Sequence, residues 1–217
     1  MKKEIKRKFC IAICMLSAFI LWTAAIKFID VEIIGPQESK VGFATLNQLI
    51  HNLTGVHISL YIITDWLGLV PIGFVMGFGV LGLFQWIKRK SLLKVDYSIL
   101  VLGGFYIVVI SAYILFEIFV VNYRPVLING YLEASYPSST TTLVMCVMPT
   151  AIMQLDSRIK NHILKQSITF VITAFIVFMV LGRLISGVHW FTDIIGGALL
   201  SAGLVLMYRA IISLKIG

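Results

Sequence analysis

Six apolar runs divide the chain, and each is closed by a polar or basic segment. The first extends from about Phe9 to Ile29, long enough to cross a bilayer at ~20 residues per span. It follows a basic start, as a secretory leader would, but no small-residue cleavage site precedes Asp30, so a retained first helix is expected. Residues 30–40 are polar and carry Gly35-Pro36 as a turn signal. In residues 41–58, Phe43, Leu46, Leu49, Ile50 and Leu53 fall at helical spacing among Asn47, Gln48, His51 and Asn52. That pattern predicts an amphipathic helix too polar to span, lying in the interface or dipping in as a re-entrant piece. Further spans are predicted over 59–87, 97–121, 140–155, 168–181 and 190–212. The second holds Asp65, which reads either as a polar helix-packing contact, the reading the pattern favours, or as a residue supporting the site, and several glycines, among them Gly73, Gly77 and Gly79, which the pattern assigns to close helix packing. The expected fold is all-α: a polytopic membrane protein with six transmembrane helices and an interfacial or re-entrant helix between the first and second. It forms one membrane-embedded domain over residues 1–217.

Composition agrees with a polytopic membrane protein. The chain is 59% hydrophobic and 13% charged, with a mean hydropathy of +0.97. The formal charge of +8 invites a nucleic-acid reading, but its distribution opposes one. All Lys and Arg except Lys27, Lys40, Arg124 and Arg183 fall at the two ends or in the segments after the second and fourth spans. This is the positive-inside pattern. It predicts a plasma-membrane protein with both termini cytoplasmic, the bilayer as partner and no nucleic acid. Cys10, Cys14 and Cys146 lie inside apolar runs and read as small core residues without disulfide or metal spacing.

The candidate chemistry is concentrated in residues 182–193, between the last two spans. His189 and Asp193 are four apart, so on a helix they share a face. A carboxylate beside an imidazole fixes its tautomer and stabilises its cation. Arg183 offers a planar fork of donors suited to phosphate. Nucleophile, orienter and anion clamp are the parts of a phosphoryl-transfer site. The topology also places Arg124 and the 137–140 stretch on the same, outer, membrane face.

With those residues in hand, the chain resembles the type 2 phosphatidic acid phosphatase superfamily, integral-membrane lipid phosphatases with the motifs K-x6-R-P, P-S-G-H and S-R-x5-H-x3-D. The matching positions are Arg124-Pro125, Pro137-Ser138-Ser139-Thr140, and Arg183 with His189 and Asp193. The resemblance implies His189 as a nucleophile forming a phosphohistidine, with Asp193 orienting it. It implies Arg124 and Arg183 on the phosphate oxygens, and donors from Ser138, Ser139, Thr140 and the backbone amides opening the fourth span. It implies no metal or other cofactor, and a membrane lipid phosphate or pyrophosphate as substrate.

Four positions depart from the motifs. Glu117 stands for the first lysine, Ser139 for a glycine, Thr140 for the histidine that would protonate the leaving group, and Gly182 for a serine. General acid catalysis contributes ~10²–10⁴-fold, and threonine cannot supply it near neutral pH. An alkoxide leaving group, whose conjugate acid is about as weak as water at ~15.7, needs that proton. A phosphate leaving from a pyrophosphate, with a pKa of ~6, does not. The expectation is therefore a lipid pyrophosphate such as a polyprenyl diphosphate. Glu117 reads either as a replacement acid or as an ion-pair partner of Arg124. The alternative function is a catalytically impaired relative that binds or transports phospholipid headgroups. An unrelated transporter would need a polar stripe through several helices, which the sequence lacks.

Overall fold

A computed structural model describes residues 2–216, so Met1 and Gly217, the ends of the expected domain, lie outside the described residues. The chain is almost wholly helical. Helix α1 (Lys2–Phe28) is followed by a two-residue antiparallel pair, β1 (Glu32–Ile33) and β2 (Lys40–Val41), closed around the Gly35-Pro36 turn. Then come α2 (Ala44–Thr54), α3 (Ile58–Leu67), α4 (Leu69–Arg89), α5 (Tyr97–Ile118), α6 (Ser139–Asp156), α7 (His162–Ile185) and α8 (Phe191–Ile216).

Helices α3 and α4 make one bent span, Ile58–Arg89. The bend falls at Gly68, three residues before Pro71. Proline has no amide to offer Leu67 and its ring crowds that carbonyl, which accounts for the kink. Helix α2 coincides with the amphipathic helix predicted within residues 41–58.

Among the described residues, five spans are long and apolar enough to cross a membrane: α1, α3–α4, α5, α7 and α8. The sixth expected crossing, α6, differs in kind. It opens on Ser139-Thr140-Thr141-Thr142 and buries Thr150 and Gln154 as well as its apolar residues. It packs against α4, α5, α7 and α8 and is the centre of the bundle. A helix shielded from lipid has no need of a continuous apolar surface. Its internal Pro149 is accommodated beside Thr150, whose hydroxyl donates to the carbonyls of Cys146 and Val147.

Helix α7 extends beyond the apolar run 168–181 at both ends, taking in Lys165 and Arg183. His162, which lies between the predicted spans 140–155 and 168–181, is its first residue. The long side chains of Lys and Arg favour helix and reach polar surroundings from an apolar segment.

The expected role of the glycines on α4 is corrected. A Cβ built on Gly73, Gly77 or Gly79 meets nothing within 4 Å, so these residues border open space rather than a tight helix contact. Close approach occurs elsewhere. At Gly182 a Cβ would lie 2.8 Å from Thr64 Cγ2, so the missing side chain lets α7 press against α3.

Opposite ends of the bundle carry different polar clusters. At one end Asp96 pairs with Arg89 at 2.9 Å and accepts from Gln85 Nε2 at 2.8 Å, with Arg158 at 3.7 Å. At the other end, the α2–α3 turn, the α5–α6 loop and the α7–α8 turn converge.

Candidate active site

The α7–α8 turn carries His189 and is fixed from three sides. Gly187 has φ +69, and a Cβ there would lie 2.0 Å from the Gly55 carbonyl oxygen. The amide of His57 donates to the Ser186 carbonyl at 2.9 Å. Asn47, fully buried on α2, accepts from the Thr192 amide at 3.1 Å and donates to its hydroxyl at 3.0 Å, capping the start of α8. Asp193 reaches back to accept from the Trp190 amide at 2.9 Å, the carboxylate half of a capping box.

These constraints aim His189 into the bundle, where it is 3% exposed. Its Nδ1 is 3.1 Å from the Ser135 carbonyl oxygen. Its Nε2 faces Arg124 Nη1 at 3.3 Å and Arg183 Nη2 at 3.2 Å. A carbonyl only accepts and a guanidinium only donates, so Nδ1 carries the proton and Nε2 keeps its lone pair. Burial, then the charges of Arg124 and Arg183, hold this imidazole well below its usual pKa. A neutral ring with an in-plane lone pair between two cations is the nucleophilic form.

Both guanidiniums are buried, Arg124 at 8% and Arg183 at 1% exposed. Arg183 lies over the Tyr61 ring at 4.9 Å and within 3.8 Å of Asp65 Oδ1. Arg124 Nε is 3.0 Å from Glu133 Oε2. Asp65 is thus an ion-pair partner whose side chain is 60% exposed, not the buried packing contact that the sequence favours. Glu133, and not Glu117, is the acidic partner of Arg124. Glu117 is exposed at the rim of the site cavity.

Asp193 is fully buried but stands 3.8 Å from Nδ1, beyond hydrogen-bond distance. The Ser135 carbonyl holds the ring proton directly. Asn122 connects the two: its Nδ2 donates to Asp193 at 3.3 Å, and its carbonyl accepts from the Ser135 amide at 2.9 Å.

A cavity of about 480 Å³ opens beside the imidazole. Its polar end is formed by His189, Ser135, Ser139, Thr140, Asp65 and Glu117, and its remainder by apolar faces of α4, α5 and α6. Thr140 stands in the first turn of α6, whose leading amides have no intrahelical acceptor and favour an anion. Ser138 differs from the expectation. It is fully buried, its Oγ accepts from the Thr141 amide at 3.5 Å, and its own amide donates to the Asp193 carbonyl at 3.1 Å. It ties α6 to α8 and does not line the cavity. Among the described residues, no group of three His, Cys, Asp or Glu side chains is placed to hold a metal ion.

Arg124, Ser139, Thr140, Arg183, His189 and Asp193 therefore gather at one place, with Glu117 at its edge. Tyr61 and Ser135 were not singled out by sequence. Tyr61, Thr64 and Asp65 share a helical face one turn deep in a span, which is the signal that points to the first of them. Tyr136 lines the cavity, but its hydroxyl is engaged by Thr23 Oγ1 at 2.7 Å.

The family model of the PAP2 superfamily matches residues 72–216. The crystal structure described as the first transmembrane PAP2-type phosphatidylglycerolphosphate phosphatase from Bacillus subtilis superposes with a TM-score of 0.58 at 18% identity, covering 95% of this chain and 97% of that one. No curated protein sequence matches the chain.

Proposed function

The chain belongs to the PAP2 superfamily, and on that premise we propose that it is a membrane lipid phosphatase acting on a lipid pyrophosphate through a phosphohistidine. The observation that carries this reading is the lone pair of His189 Nε2 held between Arg124 and Arg183, with Nδ1–H on a fixed acceptor. Nε2 attacks the terminal phosphorus, and the bond to the bridging oxygen breaks. A lipid monophosphate leaves while the two guanidiniums follow the oxygens of the transferred group. The ring becomes cationic, and the Ser135 carbonyl and the nearby Asp193 carboxylate stabilise it. Water then attacks the phosphorus, the P–N bond breaks, and orthophosphate departs with the lone pair restored.

The residue at the cavity nearest the role of leaving-group acid is Thr140, which can donate a hydrogen bond but not a proton near neutral pH. That favours a leaving group stable as an anion, hence the diphosphate of a polyprenol over a phosphatidic-acid monoester. The distribution of basic residues supports a reading with both termini in the cytoplasm and the site on the outer face of the plasma membrane. The whole chain, residues 1–217, acts as one domain.

Phosphate release from a polyprenyl diphosphate and from phosphatidic acid, measured side by side on the purified protein, tests the reading. Faster release from the diphosphate is expected, with loss of both in His189→Ala. Faster release from the monoester overturns the substrate preference. The departures at Glu117 and Thr140 favour a second reading, a headgroup-binding relative. Lipid-phosphate binding without release from any substrate supports it.

A further inference from the structure

Beneath the site cavity lies a second one, of about 430 Å³, between α4 and α5. The two share Val75 and Tyr106 in their walls. The upper cavity descends α3–α4 from Asp65 to Val75, and the lower continues along α4 to Trp86. At ~1.5 Å per residue, Asp65 to Trp86 is about 30 Å of helix, which matches the ~30 Å hydrocarbon core of a bilayer.

The lower cavity is lined by Gly79, Gly82 and Gly103 and by apolar side chains. At Gly79 and Gly103 a Cβ would meet nothing within 4 Å. Glycines facing each other on membrane helices ordinarily draw the helices together. Here they line a trough that meets the cavity beside His189 at Val75 and Tyr106.

We propose that this trough is the track for the hydrocarbon chain of the substrate, and that it selects a single chain longer than one leaflet. An ordinary acyl tail whose phosphate is at His189 ends near mid-bilayer, at Val75 and Tyr106, because half of the hydrocarbon core is about 15 Å. Only a chain about twice that length, such as a long polyprenyl, fills the lower cavity as well. The inference rests on the reading of His189 as the phosphate end. It adds a length criterion that the leaving-group argument does not contain.

The test fills the lower trough in the double variant Gly79→Leu/Gly103→Leu. Both positions have room for a side chain, and leucine favours helix over glycine. Undecaprenyl and farnesyl diphosphate are compared as substrates of the full chain. For the double variant, kcat/KM on undecaprenyl diphosphate falls about tenfold or more, the loss of roughly one decade of binding. The farnesyl compound, short enough to end in the site-side half, is unaffected. An unchanged ratio of the two overturns the track and leaves the trough to bulk lipid.

A second readout does not need turnover. Undecaprenyl monophosphate raises the melting temperature of the wild type more than farnesyl monophosphate does, and the increment disappears in the double variant. Equal stabilisation by both lipids in the wild type also overturns the proposal. Failure of the phosphatase reading shows differently, as no phosphate release from either substrate together with retained chain-length-dependent stabilisation.

Discussion

The proton on His189 has one place to be, because its two ring nitrogens face groups of opposite character. The ring is held below its usual pKa of 6.5, first by burial and then by two like charges. A nucleophile that must be neutral is lost as pH falls through that pKa, so the acid limb of kcat/KM is expected below pH 6.5. In Arg124→Gln one repelling charge is gone, and the limb moves to higher pH while kcat/KM drops; a pH–rate series on both proteins checks this. The same depression affects stability. The unfolded imidazole binds a proton near 6.5 and the folded one does not, so stability decreases as pH falls below that value. Asn122 makes a different prediction. Losing a hydrogen bond to a buried carboxylate costs about 1.5–3 kcal/mol, so Asn122→Ala is expected to lower kcat about tenfold or more with KM little changed. Steady-state kinetics at saturating and limiting substrate separate the two constants. Arg124, Thr140, Arg183, His189 and Asp193 were legible in sequence because charges and motif spacing mark them. Ser135 was not, since it acts through a backbone carbonyl that any loop residue could offer.

At the level of elements, the site depends on two turns that touch backbone to backbone. Gly187→Ala would combine a left-handed φ with a Cβ 2.0 Å from the Gly55 carbonyl oxygen. Such strain costs about 1–3 kcal/mol, and the turn carrying His189 must shift to relieve it. A lower melting temperature in detergent and a fall in kcat are expected together, whereas Gly130→Ala, also at positive φ but in open space, perturbs stability through φ alone. Helix periods and turn signals located every long helix to within several residues. They failed where neighbours decide the outcome. Apolar content could not tell that α6 is enclosed by other helices, nor that the α4 glycines border a void. The length of α7 exceeded its apolar run because the helix continues through Lys165 and Arg183 to caps at Asn161 and Ser186.

At the scale of the whole molecule, polar residues divide between the two ends of the bundle. The end away from the site is joined by Asp96, which links α4 through Gln85 and Arg89 and the turn after α6 through Arg158. These contacts are partly exposed, so Asp96→Ala should cost only about 1 kcal/mol. Thermal unfolding should register that loss, while phosphate release at saturating substrate stays as it was. The positive-inside distribution predicted which residues share a face of the membrane. That distribution is enough to assign Arg124, Thr140 and His189 to one end of the bundle. It said nothing of α3, whose Tyr61 and Asp65 brace Arg183 from outside the residues matched by the family model.

Two guanidiniums turned toward a single lone pair form a cradle whose charge favours an anion. Orthophosphate, the product on the proposed reading, has the charge and shape to occupy it. Wherever that ion accumulates beside the membrane, turnover on that reading would slow of its own accord, its rate following the phosphate content of the surrounding medium.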